Sequence, residues 1–254
     1  MQLDLKHHHG GISVPDLEAS IRWYAEVLDF ESRNGHYRLK IDDEWTETQS
    51  VIIASGASAK WLGLENEPKL KGHGLTSCAT CDGAFYRNVP VCVIGGGDTA
   101  AEEAVFLTRF ASEVFLIHRR DTLRASKIMA DRALSHPKIK PIWHTVVTRY
   151  IADPKGEIEA VELQNVETGK SSRLEVKCVF VAVGHSPNTK PFRGKIEMDT
   201  NGYLIKKQGT KTNLPGIFAA GDVADPFYRQ AVTAAGQGCA AAMEAERYLS
   251  EREH

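Results

Sequence analysis

Short apolar runs, separated by polar turns and by stretches of helical spacing, recur along most of the chain. Runs that are rich in β-branched residues and only four to eight residues long are typical of buried strands in a parallel sheet. Such strands are predicted at 50–54, 91–94, 113–117, 176–183 and 217–220. Residues 37–41 alternate between polar and apolar instead, as a half-exposed strand does.

Helices are predicted between several of these strands. Alanine and leucine recur at helical spacing over 99–110, a second helix is predicted at 124–134, and a helix of mostly small residues begins at Gln230 and Ala231. Residues 139–147 and 158–165 look like strands of an antiparallel meander. Buried strands with helical crossovers predict an α/β fold of the doubly wound type.

A glycine-rich turn directly follows the strand 91–94. Gly95 lets the backbone turn sharply, and Gly97 lets a pyrophosphate approach the main chain and the helix N-terminus. A small third residue, Ala100, lets helix and strand pack closely. Glycines alone are a weak signal, but here the strand and the helix stand on the correct sides, so the turn predicts a dinucleotide site.

A cluster of basic residues follows the next strand. About 20 residues after the glycines, an NAD site places an acidic residue on the ribose hydroxyls. This chain has His118, Arg119 and Arg120 there, with Arg124 nearby. Guanidinium groups match phosphate geometry, so the cluster favours the 2′-phosphate of NADPH. The alternative is a solvated basic strand end.

Cys78 and Cys81 form a Cys-x-x-Cys pair ahead of the glycine turn. They could be half of a zinc site, but no second pair of ligands at metal spacing follows, so a redox-active dithiol fits better and no metal is expected. Asp82 is a candidate proton carrier. Three further cysteines stand singly and are predicted to be buried small hydrophobic residues: Cys92, Cys178 and Cys239.

From about Gly35 to Leu249 the chain resembles the low-molecular-weight thioredoxin reductases, a family of flavoproteins. The motifs that carry the resemblance lie, in order, at 54–57, 78–82, 95–103, 118–120, 184–189, 219–223 and 228–231. The resemblance implies two Rossmann-like nucleotide-binding domains and a disulfide reductase. Electrons would pass from NADPH through FAD to Cys78–Cys81, and then to a protein disulfide such as that of thioredoxin.

The resemblance also implies a role for each matching residue. Cys81 would face the flavin, Cys78 would attack the partner disulfide and Asp82 would carry the proton. The residues expected to bind NADPH are Gly95, Gly97, Asp98, Thr99, Ala100, His118, Arg119, Arg120, Arg124 and His185. Those expected to bind FAD are Ala54, Gly56, Gly221, Asp222, Val223, Arg229, Gln230 and Ala231. For His185 a purely structural role in the turn is the alternative.

The expected domains are discontinuous. Residues 31–66 and 195–254 would form a FAD-binding domain, interrupted by an NADPH-binding domain at 67–194 that carries the cysteine pair. Because no strand–glycine turn–helix fingerprint precedes Gly95, the flavin domain is expected to be incomplete. Residues 1–30 resemble instead the opening strand and helix of the vicinal oxygen chelate superfamily, which includes glyoxalases and bleomycin-resistance proteins. Metal binding by His7, His8 or His9 is not expected, because the other ligands are missing.

Charge and composition narrow the classes of function. The formal net charge of −2 over 254 residues gives no general electrostatic reason to bind nucleic acid or an anionic membrane. No apolar run approaches the roughly 20 residues of a membrane helix. An odd number of cysteines without a signal peptide fits a reducing cytoplasm. The family resemblance favours a homodimer.

Three alternatives to the reductase stay open at this point. The first is a module that binds NADPH without a functional flavin site. The second is a metal-dependent glyoxalase-like enzyme, which the missing ligands disfavour. The third is a flavin-dependent dithiol oxidase that ignores NADPH, and the basic pair Arg119–Arg120 disfavours it.

Overall fold

The computed structural model of the chain describes residues 30–33, 36–41 and 44–252. The segment that resembles a vicinal oxygen chelate protein, with its three histidines, therefore lies outside the described residues except for Phe30. The chain forms two compact units. We name residues 59–185 the central unit, and the residues up to 58 and from 186 onward the outer unit. The chain passes between the two units at 58/59 and 185/186. The domain boundaries expected from the sequence were 66/67 and 194/195.

The described strands and helices are as follows. In chain order the strands are β1 (Phe30–Arg33), β2 (His36–Ile41), β3 (Glu44–Thr48), β4 (Val51–Ile53), β5 (Ala57–Ala59), β6 (Leu75–Thr76), β7 (Val91–Ile94), β8 (Val114–Ile117), β9 (Ile139–Ile142), β10 (Thr145–Ala152), β11 (Ile158–Asn165), β12 (Ser171–Glu175), β13 (Cys178–Val181), β14 (His185–Pro187) and β15 (Ile217–Ala219). The α-helices are α1 (Glu67–Leu70), α2 (Ala79–Asp82), α3 (Asp98–Leu107), α4 (Lys127–Leu134) and α5 (Ala231–Ser250). Short 3₁₀ turns lie at Gly83–Phe85, Lys190–Phe192 and Gly221–Ala224.

The central unit is built on a five-stranded parallel sheet in the order β6-β13-β7-β8-β9. Strands β7 and β13 are buried along their whole length, as their apolar sequences predict. A second, antiparallel sheet of β10, β11 and β12 forms the meander. The prediction of one meander strand over 139–147 is wrong, because the chain breaks at His144, whose φ is 50°. The residues before this break join the parallel sheet as β9.

Both faces of the parallel sheet are covered by apolar side chains. On one face α3 packs its buried alanines, including Ala100 and Ala104, against strand residues such as Val93 and Phe180. Small side chains let this helix approach the sheet closely. On the other face the meander contributes Tyr150 and Val161 to a second core cluster. The alternation of strands and helices confirms the predicted α/β class, and parallel and antiparallel sheets are both present.

A buried carboxylate fixes the first residues of the central unit. Glu67 is 3% exposed, and its Oε1 accepts hydrogen bonds from the Leu62 N–H at 3.0 Å and from the Tyr150 hydroxyl at 3.1 Å. Its Oε2 accepts the Gly63 N–H at 2.9 Å. Burial, and then the charge of Glu67, raises the pKa of Tyr150. These bonds attach residues 62–67 to the meander, which explains why the central unit begins before them.

The outer unit joins segments that are distant in sequence. Strand β4 pairs in parallel with β15, so that Ile53 lies opposite Ala219. Strands β1, β2 and β3 form an antiparallel sheet, and Tyr37 of β2 is buried with its hydroxyl donating to the Pro215 carbonyl. Helix α5 packs its buried Ala241 and Ala245 in a cluster with Phe218. None of the helices in the described ranges is both long and apolar enough to cross a membrane.

Replacing Glu67 by alanine is expected to destabilise the central unit by about 3 kcal/mol, because two N–H groups and one hydroxyl lose their acceptor. Urea denaturation of the variant would measure this loss. Glu65→Ala removes an exposed carboxylate two residues away and is expected to change stability by less than about 0.5 kcal/mol. Equal stability of the two variants would contradict the role given to Glu67.

Candidate active site

A cavity of about 540 Å³ opens in the central unit where the parallel strands end. Strands β7, β8 and β13 end in register, with Ile94 beside both Ile117 and Val181. Six of the ten residues expected to bind NADPH line the cavity: Gly95, Gly97, Thr99, His118, Arg119 and Arg124. The carboxyl ends of parallel strands are where nucleotides bind in open α/β sheets. The cavity therefore has the position expected of a dinucleotide site.

The glycines of the turn have separate structural reasons. A Cβ atom on Gly95 would lie 2.5 Å from the Ala182 carbonyl oxygen and 2.7 Å from the Ala100 Cβ, so no side chain fits there. Ala100 is itself fully buried, so it contributes to packing rather than to the cavity wall. A Cβ on Gly97 would meet nothing within 4 Å, which leaves the main chain open to a ligand.

His118 lies against the middle glycine of the turn. A Cβ on Gly96 would come within 2.2 Å of the imidazole ring, so the ring packs directly on the backbone. Burial lowers the pKa of His118, a backbone hydrogen bond at Thr122 acts in the opposite direction, and the charges of the nearby arginines lower it further. Its Nε2 is buried without a hydrogen-bond partner. His118 is therefore a neutral ring at pH 7, and the cationic character of the cluster comes from the arginines.

The remaining four expected NADPH residues are not part of the cavity wall: Asp98, Ala100, Arg120 and His185. Arg120 is exposed, and its carbonyl accepts the His144 N–H at 3.2 Å. Asp98 begins α3 and accepts hydrogen bonds from Ser126. His185 is half-buried at the start of β14.

Several residues of the cavity wall belong to no sequence motif and were not predicted: Leu62, Leu64, Thr145, Val146, Val147 and Val183.

Cys78 and Cys81 are joined in a disulfide, with their Cα atoms 5.3 Å apart. Cys81 is exposed and Cys78 half-buried. The Cys81 N–H donates to the Cys78 Sγ at 3.2 Å. Thr76, at the end of β6, donates its hydroxyl to the Asp82 carboxylate and accepts the Cys78 N–H at 3.2 Å. A hydroxyl two residues before the first cysteine is a local signal in the sequence for this contact.

The other three cysteines differ in their burial. Cys92 and Cys178 are fully buried, as predicted, and burial raises the pKa of both thiols. The prediction that Cys239 is buried is wrong, because it lies on the solvent side of α5. Across residues 30–33, 36–41 and 44–252, no group of three His, Cys, Asp or Glu side chains could hold a metal ion.

The residues expected to bind FAD lie in the outer unit, at the ends of its parallel strand pair. Ala54 is exposed and Gly56 has a φ of 72°, both just after β4. Gly221, with a φ of 75°, and Asp222 follow β15. Burial raises the pKa of Asp222, as does the charge of Asp225, while Arg229 lowers it. Because β4 and β15 are parallel and paired in register, both turns lie at the carboxyl end of this strand pair, which we call the β4–β15 edge.

Helix α5 begins beside this edge. Gln230 is its N-cap, and Ala231 is its first residue. Arg229, with a φ of 49°, donates its N–H to the Asp225 carboxylate at 3.1 Å. Val223 is fully buried and contributes packing. A half-buried carboxylate, positive-φ glycines and a helix N-terminus together form a donor and acceptor set that fits the hydroxyl-bearing chain and polar ring edge of a flavin nucleotide.

Comparison with known proteins gives a consistent set of relatives. The profile of the pyridine nucleotide-disulphide oxidoreductase family matches residues 5–238. The thioredoxin reductase of Rickettsia conorii is 46% identical over 230 residues, which cover 90% of this chain and 74% of the relative. That of Mycolicibacterium smegmatis is 46% identical over 255 residues, with 96% and 81% covered.

Solved structures of similar proteins also share the fold. The thioredoxin reductase of Streptococcus pyogenes is 38% identical, with a TM-score of 0.84 over 89% of this chain and 73% of that one. The thioredoxin reductase of Giardia duodenalis is 36% identical, with a TM-score of 0.81 over 88% of this chain and 74% of that one.

Two alanine substitutions in the glycine turn are expected to separate packing from binding. Gly95→Ala should destabilise the central unit by about 2 kcal/mol, because its Cβ meets a backbone carbonyl and a buried methyl group. Gly97→Ala should cost less than about 1 kcal/mol of stability. It should nevertheless weaken NADPH binding about tenfold, because its methyl group faces the cavity.

Thermal denaturation and a fluorescence titration with NADPH measure these two effects. Similar losses of stability in both variants would show that the glycines do not have the separate roles inferred from their surroundings.

Proposed function

The chain belongs to the pyridine nucleotide-disulphide oxidoreductase family, among the thioredoxin reductases, and we propose on this basis that it is an NADPH-dependent, flavin-mediated disulfide reductase. One observation carries the proposal. The Cys78–Cys81 disulfide follows β6, and β6 belongs to the same parallel sheet whose neighbouring strands end at the nucleotide cavity. A disulfide and a dinucleotide cavity built on one parallel sheet suit transfer of electron pairs from nicotinamide, by way of a flavin, to sulfur.

The cavity of the central unit would hold NADPH. The open backbone at Gly97 and the N-terminus of α3 suit the pyrophosphate. Arg119 and Arg124 line the same cavity and suit the 2′-phosphate, since guanidinium groups bind phosphate with two parallel hydrogen bonds. His118 offers a neutral, unpaired Nε2 to the same ligand.

The β4–β15 edge in the outer unit would hold FAD. Asp222 would accept hydrogen bonds from the ribityl hydroxyls, and the start of α5 at Ala231 would place its positive dipole end toward the ring. When bound, FAD supplies the two-electron chemistry that links a hydride donor to a disulfide. The turn residues Gly56 and Gly221, both at positive φ, keep side chains away from this edge.

The cysteine pair would accept two electrons and two protons, so that its S–S bond breaks and two thiols form. Asp82 would carry a proton to or from the pair, and the Thr76 hydroxyl orients its carboxylate. The Cys78 thiolate would then attack a partner disulfide, forming a mixed disulfide and releasing one partner thiolate. The Cys81 thiolate would displace the second. The Cys81 N–H, which points at the Cys78 sulfur, favours negative charge there.

A protein is the substrate class that the surface supports. Phe85 is 80% exposed and lies four residues after Cys81. An exposed aromatic side chain beside a redox pair offers an apolar contact that a small disulfide does not need and a thioredoxin-like protein would use. Neither nucleic acid nor a membrane is proposed as a partner. We also propose a homodimer in the cytoplasm, where the unpaired Cys92, Cys178 and Cys239 would stay reduced.

An NADPH oxidation assay with a thioredoxin-like protein disulfide, with and without added FAD, tests the proposal. Cys78→Ser and Cys81→Ser are each expected to lower turnover more than about a thousandfold, because the chemistry needs both sulfurs. Cys239→Ser, at an exposed thiol outside the pair, is the matched control and should keep full activity. Full turnover in either variant of the pair would contradict the proposed function.

Phe85→Ala is expected to raise the KM for the protein disulfide about tenfold and to leave reduction of a small aromatic disulfide unchanged. The reason is that only the protein is large enough to contact this side chain while reacting at Cys78. Ile128→Ala removes an equally exposed apolar side chain on α4 and should change neither rate. A parallel loss with both substrates in Phe85→Ala would argue against a docking role.

A further inference from the structure

Asp98, the first residue of α3, joins the glycine turn to the loop that carries Arg124. Its Oδ1 accepts the Ser126 N–H at 2.8 Å and the Ser126 hydroxyl at 2.7 Å. Just beside these bonds, the Gly96 carbonyl accepts the N–H groups of Arg124 at 2.6 Å and of Ala125 at 3.0 Å. Three consecutive N–H groups of the loop are therefore bound by two residues at the start of α3, Gly96 and Asp98.

The bonded segment determines where the Arg124 backbone lies. Arg124 is exposed and lines the cavity together with Arg119 and the glycines. A long exposed side chain loses rotamer entropy when it binds a phosphate, so a fixed backbone reduces the remaining cost of ordering it. The Gly96 carbonyl binds the N–H of Arg124 itself and that of the next residue. Asp98 binds Ser126, two residues after Arg124.

Asp98 faces Ser126 rather than the cavity. Its hydrogen bonds with the Ser126 side chain and backbone lower the pKa of the carboxyl, so it is ionised at neutral pH. An ionised carboxylate aimed at a dinucleotide pyrophosphate would repel it. Because Oδ1 is used by Ser126 and Asp98 is not part of the cavity wall, a role through the loop fits this side chain better than direct contact.

We propose that Asp98 and Ser126 form a clasp that positions Arg124 for the 2′-phosphate of NADPH, and so sets the preference for NADPH over NADH. Asp98 is thus a positioning residue and does not itself bind the cofactor. The inference rests on the proposed function, because it requires NADPH in this cavity. A clasp with only a structural role would affect both dinucleotides equally.

Titration calorimetry of the full chain with NADPH and with NADH distinguishes the two roles. Asp98→Ala should weaken NADPH binding about tenfold and change NADH binding less than about twofold. Asp98→Asn keeps an acceptor oxygen for Ser126 and should stay within about twofold of the parent protein. Asp121→Ala, which removes an exposed carboxylate of the same loop, is the matched control and should change neither affinity.

A double-mutant cycle with Arg124 completes the test. If Asp98 acts through Arg124, Asp98→Ala should cause no further loss of NADPH affinity in an Arg124→Ala background. Additive losses, or equal weakening of NADPH and NADH by Asp98→Ala in a protein of unchanged Tm, would overturn the clasp and leave the proposed function intact. A parent protein that binds neither dinucleotide would overturn both.

Discussion

Three parallel strands of the central unit, β7, β8 and β13, end side by side, and this shared end determines where the following turns and their side chains lie. Because Ile94 lies beside both Ile117 and Val181, the turns that follow all three strands lie at the same end of the sheet. The first of these turns has no room for a side chain at Gly95, where the Ala182 carbonyl and the Ala100 methyl group approach. The cavity lies at these turns, and Arg119 and Arg124 line it together with Gly95.

The redox pair is tied to the same sheet. Thr76 pairs with Phe180 on β13, and its hydroxyl contacts both Asp82 and the Cys78 N–H. The position of the disulfide therefore depends on an edge strand of only two residues, and on one threonine that is bonded to the sheet through its backbone and to the catalytic segment through its side chain.

Local patterns predicted much of this arrangement, while contacts between distant residues did not show in the sequence. The strand Val91–Ile94, its glycine turn and the cysteine pair were predictable because composition, spacing and neighbouring elements all agree. The bond of Glu67 to Tyr150 spans 83 residues and that of Asp98 to Ser126 spans 28, so neither leaves a local signal. The prediction of a buried Cys239 is wrong because a helix of small residues gives little contrast between its buried and exposed faces.

Anaerobic reduction followed by mapping of the thiols asks whether electrons from NADPH reach the Cys78–Cys81 disulfide. The protein would be incubated with FAD and one equivalent of NADPH, alkylated, and analysed as peptides. Cys78 and Cys81 are expected to become alkylated, about two thiols per NADPH consumed, while the label on the exposed Cys239 does not depend on NADPH. Consumption of NADPH with the Cys78–Cys81 disulfide left intact would contradict this expectation.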